Sequence, residues 1–215
     1  MAMTRKQPVM EESNQAAPRL VAFGASLGGL RILQLLLARL PAECTTTFVI
    51  VQHRVADASR LAHLLQTHSK LPLCEPDDKQ PLAEGWVYLA PADYHLLISE
   101  GCFSLSIDAP VCYARPSIDV LFESVARAYR AESAVMVLTG ASRDGAEGAL
   151  AVHRRGGKVV VQAPETAEST VAPAAALALV PTAPSLPPER LADLLEGWVR
   201  PAASPPRAKM SSAQG

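Results

Sequence analysis

This sequence has few aromatic residues, almost no net charge and no long apolar run, and each of these features excludes a class of function. Phe, Trp and Tyr make up 5% of the 215 residues, too few for a platform that stacks the bases of single-stranded nucleic acid. A formal net charge of -1 argues against a binder of phosphate backbones. No apolar run reaches the roughly 18 residues that cross a bilayer, and the first 18 residues do not form a secretory signal. We therefore expect a cytoplasmic protein without nucleic acid binding or membrane insertion.

Motifs for metals and nucleotides are also missing. The four cysteines form no CxxC pair and the histidines form no HExxH motif, so no metal site is predicted. In a reducing compartment the cysteines are expected to be free thiols. His63, His68 and His153 lie on predicted helices and are interpreted as structural or solvated. The glycines fit neither the P-loop nor the GxGxxG pattern, which weakens the case for a nucleotide-binding protein.

Composition indicates one domain with two tails. The hydrophobic fraction of 49% is ordinary for a globular protein, and a chain of this length can bury a core. Residues 1–18 are polar, and residues 200–215 are rich in Pro, Ala and Ser. We predict disordered tails over 1–18 and 200–215 and a single domain over 19–199.

Short apolar runs alternate with helical patterns through the domain. Continuous runs such as Phe48 to Val51 are typical of strands that are buried on both faces of a parallel sheet. The predicted class is α/β: a doubly wound, mostly parallel sheet flanked by helices, with a small antiparallel hairpin. The strands are predicted at 20–23, 48–51, 86–90, 96–98, 103–107, 134–138 and 159–162. The helices are predicted at 30–40, 59–66, 118–129 and 146–154.

The first predicted strand runs into the segment Gly24-Ala25-Ser26-Leu27-Gly28, which fits G-x-S-x-G. Small residues at this spacing favour a sharp strand-to-helix turn with an exposed serine at its apex. The alternative is a plain glycine-rich turn in which Ser26 caps the helix. The segment alone leaves both interpretations open.

Two further polar residues follow predicted strands. His53 comes directly after the strand at 48–51, and its alternative role is to satisfy loop backbone. Asp144 lies in the loop after the strand at 134–138, and its alternative role is to cap the helix that begins near Ala146. Parallel strands end at one edge of a sheet, where α/β proteins place their sites. Ser26, His53 and Asp144 would there supply a nucleophile, a base and an orienting acid.

Five sequence blocks together resemble the catalytic domain of CheB-type chemotaxis methylesterases, over roughly residues 20–199. The blocks are Gly24 to Gly29, Val51 to His53, Ala90 to His95, Arg115 to Phe122 and Leu138 to Gly145. The resemblance implies the same three catalytic residues that the strand ends select. It also implies a stand-alone catalytic domain, because residues 1–18 are too few for the receiver domain that many CheB proteins carry.

The implied reaction is hydrolysis of glutamate γ-methyl esters on the cytoplasmic helical bundle of a chemoreceptor. Deamidation of receptor glutamines is the family's second activity, and no cofactor is implied. Other chemosensory proteins are further candidate partners. Backbone N–H groups near Ala141 and His53 are expected to bind the oxyanion. Arg115 and Ser117 are candidates for positioning the receptor helix, with loop structure and helix initiation as their alternatives.

Departures from the family pattern keep other functions open. Leu27 stands where the family usually has Thr. The family's Gly-Met-Gly turn before the acid is Gly140-Ala141-Ser142 in this sequence, and Ser142 would be strained if its position needs a positive φ. A catalytically idle docking module of a chemosensory complex is therefore one alternative. A serine esterase or amidase acting on another substrate is the second.

Overall fold

The computed structural model describes residues 17–53 and 59–199. The strands in this part of the chain are β1 (Leu20–Ala25), β2 (Thr47–Gln52), β3 (Leu73–Cys74), β4 (Val87–Leu89), β5 (His95–Ser99), β6 (Cys102–Ser106), β7 (Ser133–Val137), β8 (Lys158–Gln162) and β9 (Ser185–Leu186). The α-helices are α1 (Gly29–Ala38), α2 (Ser59–Gln66), α3 (Ile118–Tyr129), α4 (Ala146–Arg154), α5 (Val171–Leu179) and α6 (Pro188–Trp198).

Seven of the strands form one parallel sheet in the order β3-β4-β2-β1-β7-β8-β9. β5 and β6 form a separate antiparallel hairpin. The chain builds outward from β1 through β2 on one side and later through β7 on the other, so the strand order reverses at β1. In doubly wound sheets, ligands bind in the crevice beyond the carboxyl ends of the strands at such a reversal. The predicted fold class is confirmed.

The sheet separates two hydrophobic cores because side chains alternate between its faces. In β1, Leu20 and Ala22 belong to one core, while Val21 and Phe23 belong to the other. The first core packs against α3, α4, α5 and the hairpin, and the second against α1, α2 and α6. β1, β2 and β7 are buried along their whole length, which explains their continuous apolar sequences.

Several predicted boundaries are corrected. The helix predicted at 30–40 is Gly29–Ala38, and the first strand extends to Ala25. The last residue of the predicted N-terminal tail, Pro18, is buried and accepts a hydrogen bond from the hydroxyl of Thr46 at 3.4 Å. The rest of both predicted tails, apart from Ala17, lies outside the described residues.

Two other expectations concern cysteines and membrane crossing. Cys44, Cys74, Cys102 and Cys112 are free, as predicted. Among the helices of the described ranges, none combines the length and apolar character that membrane crossing demands.

Candidate active site

Ser26 lies in a tight connection between β1 and α1. Its backbone N–H donates to the carbonyl of Thr139 at 3.0 Å, and its carbonyl accepts from Gly29 N–H at 3.0 Å. Gly28 is the N-cap of α1 with a φ of 78°, a conformation that glycine adopts without strain, and no side chain caps this helix. The alternative interpretation of Ser26 as a helix cap is therefore wrong, and its partly exposed hydroxyl has no hydrogen-bond partner among the described residues.

Small residues let neighbouring elements approach the serine. A Cβ atom on Gly24 would collide with the Ile118 side chain at the start of α3. A Cβ atom on Gly140 would lie 3.0 Å from the Cβ of Ser26. Glycine at these two positions brings the end of β1, the start of α3 and the loop after β7 together at one point.

His53 follows β2 and faces the acid. Its backbone N–H donates to the carbonyl of Ala25 at 2.9 Å, which continues the β1–β2 ladder by one residue. Its ring Nε2 lies 2.8 Å from Oδ2 of Asp144. Gln52 braces the neighbouring backbone, because its amide Nε2 donates to the carbonyls of Ser26 at 2.8 Å and His53 at 3.0 Å.

Ser26 and His53 share a cavity of about 530 Å³. Among the residues that the structure describes, no hydrogen bond joins the Ser26 hydroxyl to the His53 ring. Because Nε2 is committed to Asp144, Nδ1 is the ring nitrogen left for the serine. Such bonds are often long in a free enzyme and tighten when substrate binds.

Asp144 is fully buried and holds four donors. Oδ2 accepts from His53 and from Ile118 N–H at 2.7 Å, and Oδ1 accepts from Ser117 Oγ at 2.8 Å and Asp119 N–H at 2.9 Å. Burial alone would raise the pKa of Asp144, but these donors, with His53 first among them, lower it below its usual value. The carboxylate therefore stays ionised and fixes the orientation of the imidazole.

The helix-capping interpretation of Asp144 is replaced by a crossed arrangement. Asp144 precedes α4, yet it accepts from the first N–H groups of α3. Asp119, in the first turn of α3, accepts from the N–H groups of Gly145 at 2.9 Å and Gly148 at 2.7 Å, at the start of α4. Each acid thus stabilises the N-terminus of the other's helix.

The two acids also act on each other's charge. Burial above all, together with the charge of the nearby Asp144, raises the pKa of Asp119 to about 6 against the opposing effect of the N–H groups of Gly148 and Gly145. Oxygen atoms of both carboxyl groups and Sγ of Cys112 lie within 4.8 Å of one another. Because Asp144 already holds four donors, this cluster does not suit a metal ion.

The other predicted site residues have separate roles. Ala141 lines the cavity, and its N–H meets no acceptor within the described ranges, which leaves it available for an oxyanion. The N–H of His53 itself is already bonded to the carbonyl of Ala25 and is not available for an oxyanion, and the N–H group that follows it lies outside the described residues. The N–H of Leu27, directly after Ser26, likewise meets no acceptor among the described residues. This position supplies an oxyanion donor in other serine hydrolases.

Ser117 and Arg115 differ in their exposure. Ser117 is 0% exposed, so no surface remains for a receptor helix, and that expectation is corrected. Its hydroxyl donates to Asp144 and also caps α3 by accepting from Val120 N–H, as its alternative predicted. Arg115 lines the cavity while one guanidinium nitrogen donates to the carbonyls of Ile107 and Asp108. Positioning of substrate by Arg115 stays a prediction.

Two minor expectations are also resolved, and the structure gives His95 a supporting role. Ser142 is absent from the residues with positive φ, so the strain expected there does not occur. His63, His68 and His153 are exposed, as predicted. His95 is buried, and its ring bonds the carbonyl of Ala109 at 3.1 Å and the N–H of Ser117 at 3.2 Å, so it supports the loop that carries Ser117.

Sequence reasoning missed the contribution of Asp119. The residue lies in the block from Arg115 to Phe122 and in the first turn of a correctly predicted helix. An acid in a first turn normally serves its own helix, and only the packing of α3 against α4 gives this one a second helix to stabilise.

The sheet is doubly wound, and a hydroxyl, an imidazole and a buried carboxylate lie beyond the carboxyl ends of its three central strands. This combination is that of an α/β protein with a serine-hydrolase type of site. The sequence model of the CheB methylesterase family matches residues 21–195. The chain belongs to the CheB methylesterase family.

Individual relatives agree with this assignment. A putative protein-glutamate methylesterase/protein-glutamine glutaminase of Leptospira interrogans is 36% identical over 176 residues, which cover 81% of this chain and 91% of that protein. Protein-glutamate methylesterase/protein-glutamine glutaminase 4 of Myxococcus xanthus is 42% identical over 147 residues, or 67% of this chain and 42% of the relative. The crystal structure of the Thermotoga maritima CheB methylesterase catalytic domain matches with a TM-score of 0.79 and 29% identity, covering 85% of this chain and 99% of that one.

Proposed function

We propose that this protein is a serine hydrolase that removes methyl groups from glutamate γ-methyl esters of chemoreceptors and also deamidates receptor glutamines. Ser26 is the nucleophile, His53 the general base and Asp144 the orienting acid. The observation that carries the proposal is the 2.8 Å bond between His53 and the buried Asp144 at the cavity that Ser26 lines, in a chain of this family. The substrate is the helical bundle on the cytoplasmic side of the receptor, and the enzyme acts in the cytoplasm.

The reaction begins when Nδ1 of His53 takes the Ser26 proton and Oγ attacks the ester carbonyl. Asp144 holds the imidazole tautomer and stabilises the imidazolium that forms. The N–H groups of Ala141 and Leu27 stabilise the tetrahedral oxyanion, and one such donor is typically worth ~10²–10³ in rate.

Collapse of the intermediate expels methanol, which receives the proton from His53. A water molecule, activated by the same imidazole, then attacks the acyl-enzyme and releases the glutamate carboxylate. With glutamine as substrate, ammonia leaves instead of methanol. These steps use the side chains of Ser26, His53 and Asp144, backbone N–H groups and water.

Methanol release from methylated receptor tests the proposal. Ser26→Ala should lower the rate by several orders of magnitude, with ~10⁶ as the precedent for loss of such a nucleophile. Unchanged thermal stability of the variant would show that the fold survives. Full activity of Ser26→Ala would contradict the assignment of the nucleophile.

One observation favours an idle docking module: the Ser26 hydroxyl and the His53 ring are not hydrogen-bonded in the free protein. A fluorophosphonate probe distinguishes the two functions, because it reacts with an activated serine whatever the natural substrate. We expect labelling of Ser26 in the wild type and in Ser142→Ala, and none in Ser26→Ala. Absence of label in the wild type would favour the docking module.

A further inference from the structure

The segment from Val111 to Ala114 forms a tight turn with an unusual sequence. Val111 and Ala114 exchange backbone hydrogen bonds of 3.1 and 2.9 Å. The two residues between them, Cys112 and Tyr113, have φ values of 49° and 63°. A two-residue turn with positive φ at both positions is the type that normally carries Asn-Gly. Cys and Tyr are strained there, because their Cβ atoms crowd the backbone in this region.

Tyr113 gains no packing in return for that strain. Its relative exposure is 104%, the highest among the exposed large hydrophobic residues of the described chain. Aromatic rings normally stabilise a fold by burying their large apolar surface, and this ring buries none of it. The turn therefore presents the ring to solvent at a cost to the free protein.

The position of the turn suggests what the ring serves. Cys112 and Tyr113 line the same cavity as Ser26 and His53. Arg115 anchors the following chain through its bonds to the carbonyls of Ile107 and Asp108, at 2.8 and 3.1 Å. Local strain of this kind persists where the surroundings hold it in place, and it concentrates at functional sites.

A second apolar side chain adjoins the nucleophile. Leu27 directly follows Ser26 and is 52% exposed. A ligand whose reacting group is bonded to Ser26 lies in the cavity that Tyr113 lines, and exposed apolar surface is present outside that cavity at Leu27, the next residue along the chain. An isolated ester is too small to use both, whereas a polypeptide that carries the ester extends past the cavity on either side.

We propose that Tyr113 is a substrate-contacting residue whose ring packs on apolar side chains of the protein segment that carries the reacting glutamyl ester. This inference rests on the proposed function and deepens it. Tyr113 contributes to selection of a protein substrate over a small ester. Tyrosine suits this role because it offers a large contact area with few rotatable bonds.

The test compares two substrates: a methylated cytoplasmic fragment of a chemoreceptor and p-nitrophenyl acetate. The measured quantity is the ratio of kcat/KM for the protein substrate to kcat/KM for the small ester. Tyr113→Ala should lower this ratio by about tenfold, mainly through KM, as expected for loss of an aromatic contact at an interface. Tyr94→Ala is the matched control, because Tyr94 is a 41% exposed tyrosine that does not line the cavity, and it should leave the ratio unchanged.

A double variant separates recognition from folding. Cys112→Asn with Tyr113→Gly supplies the residues that this turn prefers, so the Tm should rise while the substrate ratio falls. A higher Tm with an unchanged ratio would overturn the inference, and so would an equal fall of kcat/KM for both substrates in Tyr113→Ala. A wild type that releases no methanol from the receptor fragment would overturn the proposed function and this inference with it.

Discussion

Asp119 and Asp144 are two buried acids that the fold treats differently. Asp144 receives four donors, including the His53 ring, and its pKa is lowered. Asp119 accepts from only two backbone N–H groups, and because burial and the charge of Asp144 outweigh them, its pKa is raised to about 6. When two carboxyl groups lie this close, the pair titrates as a unit and one member readily takes the proton.

The raised pKa of Asp119 predicts how stability depends on pH. Between its ordinary value of 3.8 and about 6, folded Asp119 keeps a proton that the unfolded chain has released. The free energy of unfolding therefore falls as the pH rises through this window. Asp119→Asn cannot ionise, yet its amide oxygen can still accept from Gly145 and Gly148. We expect it to be more stable than the wild type, on the order of 1–3 kcal/mol, at about pH 7.5, with little or no advantage at about pH 4.

Thermal melts of both proteins across this pH range check the prediction. Asp193→Asn is the control, because it makes the same substitution at an exposed ion pair with Arg39, where little stability is at stake. A Tm difference between Asp119→Asn and wild type that does not change with pH would contradict the raised pKa of Asp119.

Asp144 supports catalysis through the orientation of His53. In Asp144→Asn the amide would no longer stabilise the imidazolium, and its N–H₂ group would favour the wrong ring tautomer. We expect methanol release to fall by about 10⁴, the precedent for this substitution in a serine protease. Retention of more than about a tenth of wild-type activity would show that the carboxylate is not the orienting acid.

At the scale of elements, α3 and α4 approach closely through glycine. A Cβ atom on Gly148 would lie 2.6 Å from the Cβ of Phe122 and 3.0 Å from the carbonyl oxygen of Asp119. A methyl group at this position would push the helices apart and disturb the loop that carries Asp144. The close contact therefore connects helix packing to the geometry of the site.

Paired glycine substitutions test this packing. Gly148→Ala should destabilise the protein by roughly 1–3 kcal/mol, because the added methyl group overpacks a buried contact. Gly197→Ala, on the exposed surface of α6 with nothing within 4 Å of the new Cβ, should be neutral or stabilising by up to about 1 kcal/mol. Urea unfolding of both variants measures the difference, and equal effects would refute the steric argument.

The elements that carry the site were largely predictable from the sequence, and so were α2, β8 and the hairpin, whereas α5 and α6 were not. The strands around Phe48 and Val135 read as continuous apolar runs because both faces of the central sheet are buried. The helices at 118–129 and 146–154 were predicted to the residue, helped by Ser117 as an N-cap in one case and Gly145 before the other. Because parallel strands end at one edge of the sheet, the loops that carry Ser26, His53 and Asp144 were predicted to lie together at that edge.

Helices α5 and α6 escaped prediction for physical reasons. α5 is almost wholly Ala, Leu and Val with Pro173 in its first turn, so it has no polar face to reveal a helical period. α6 begins with Pro188, which is tolerated in a first turn but also marks loops. The crossed capping by Asp119 and the strained turn at Tyr113 depend on contacts between distant segments, which no local pattern records.

At the scale of the whole molecule, one sheet supports both hydrophobic cores. Alternate residues of β1, β2 and β7 enter the core with α3 or the core with α1, so the two cores share the strands of the parallel sheet, and the hairpin belongs to one core alone. Loss of packing on one face would leave the other face of the same strands without support. The domain should therefore unfold as one cooperative unit.

The two tryptophans of the sequence allow a test, because they report on opposite faces of the sheet. Trp86 packs against the core that contains α3, and Trp198 packs within the core that contains α1. Trp86→Phe and Trp198→Phe each leave one fluorescent reporter, and circular dichroism follows the whole fold of each variant. The substitutions change stability themselves, so the comparison is made within each variant. We expect the fluorescence and dichroism midpoints in urea to coincide in both, because shared strands couple the two cores. A Trp198 fluorescence transition at lower urea than the loss of secondary structure would show that the face with α1 and α6 unfolds independently. The loop that carries Ser26 would then be less firmly held than His53 and Asp144.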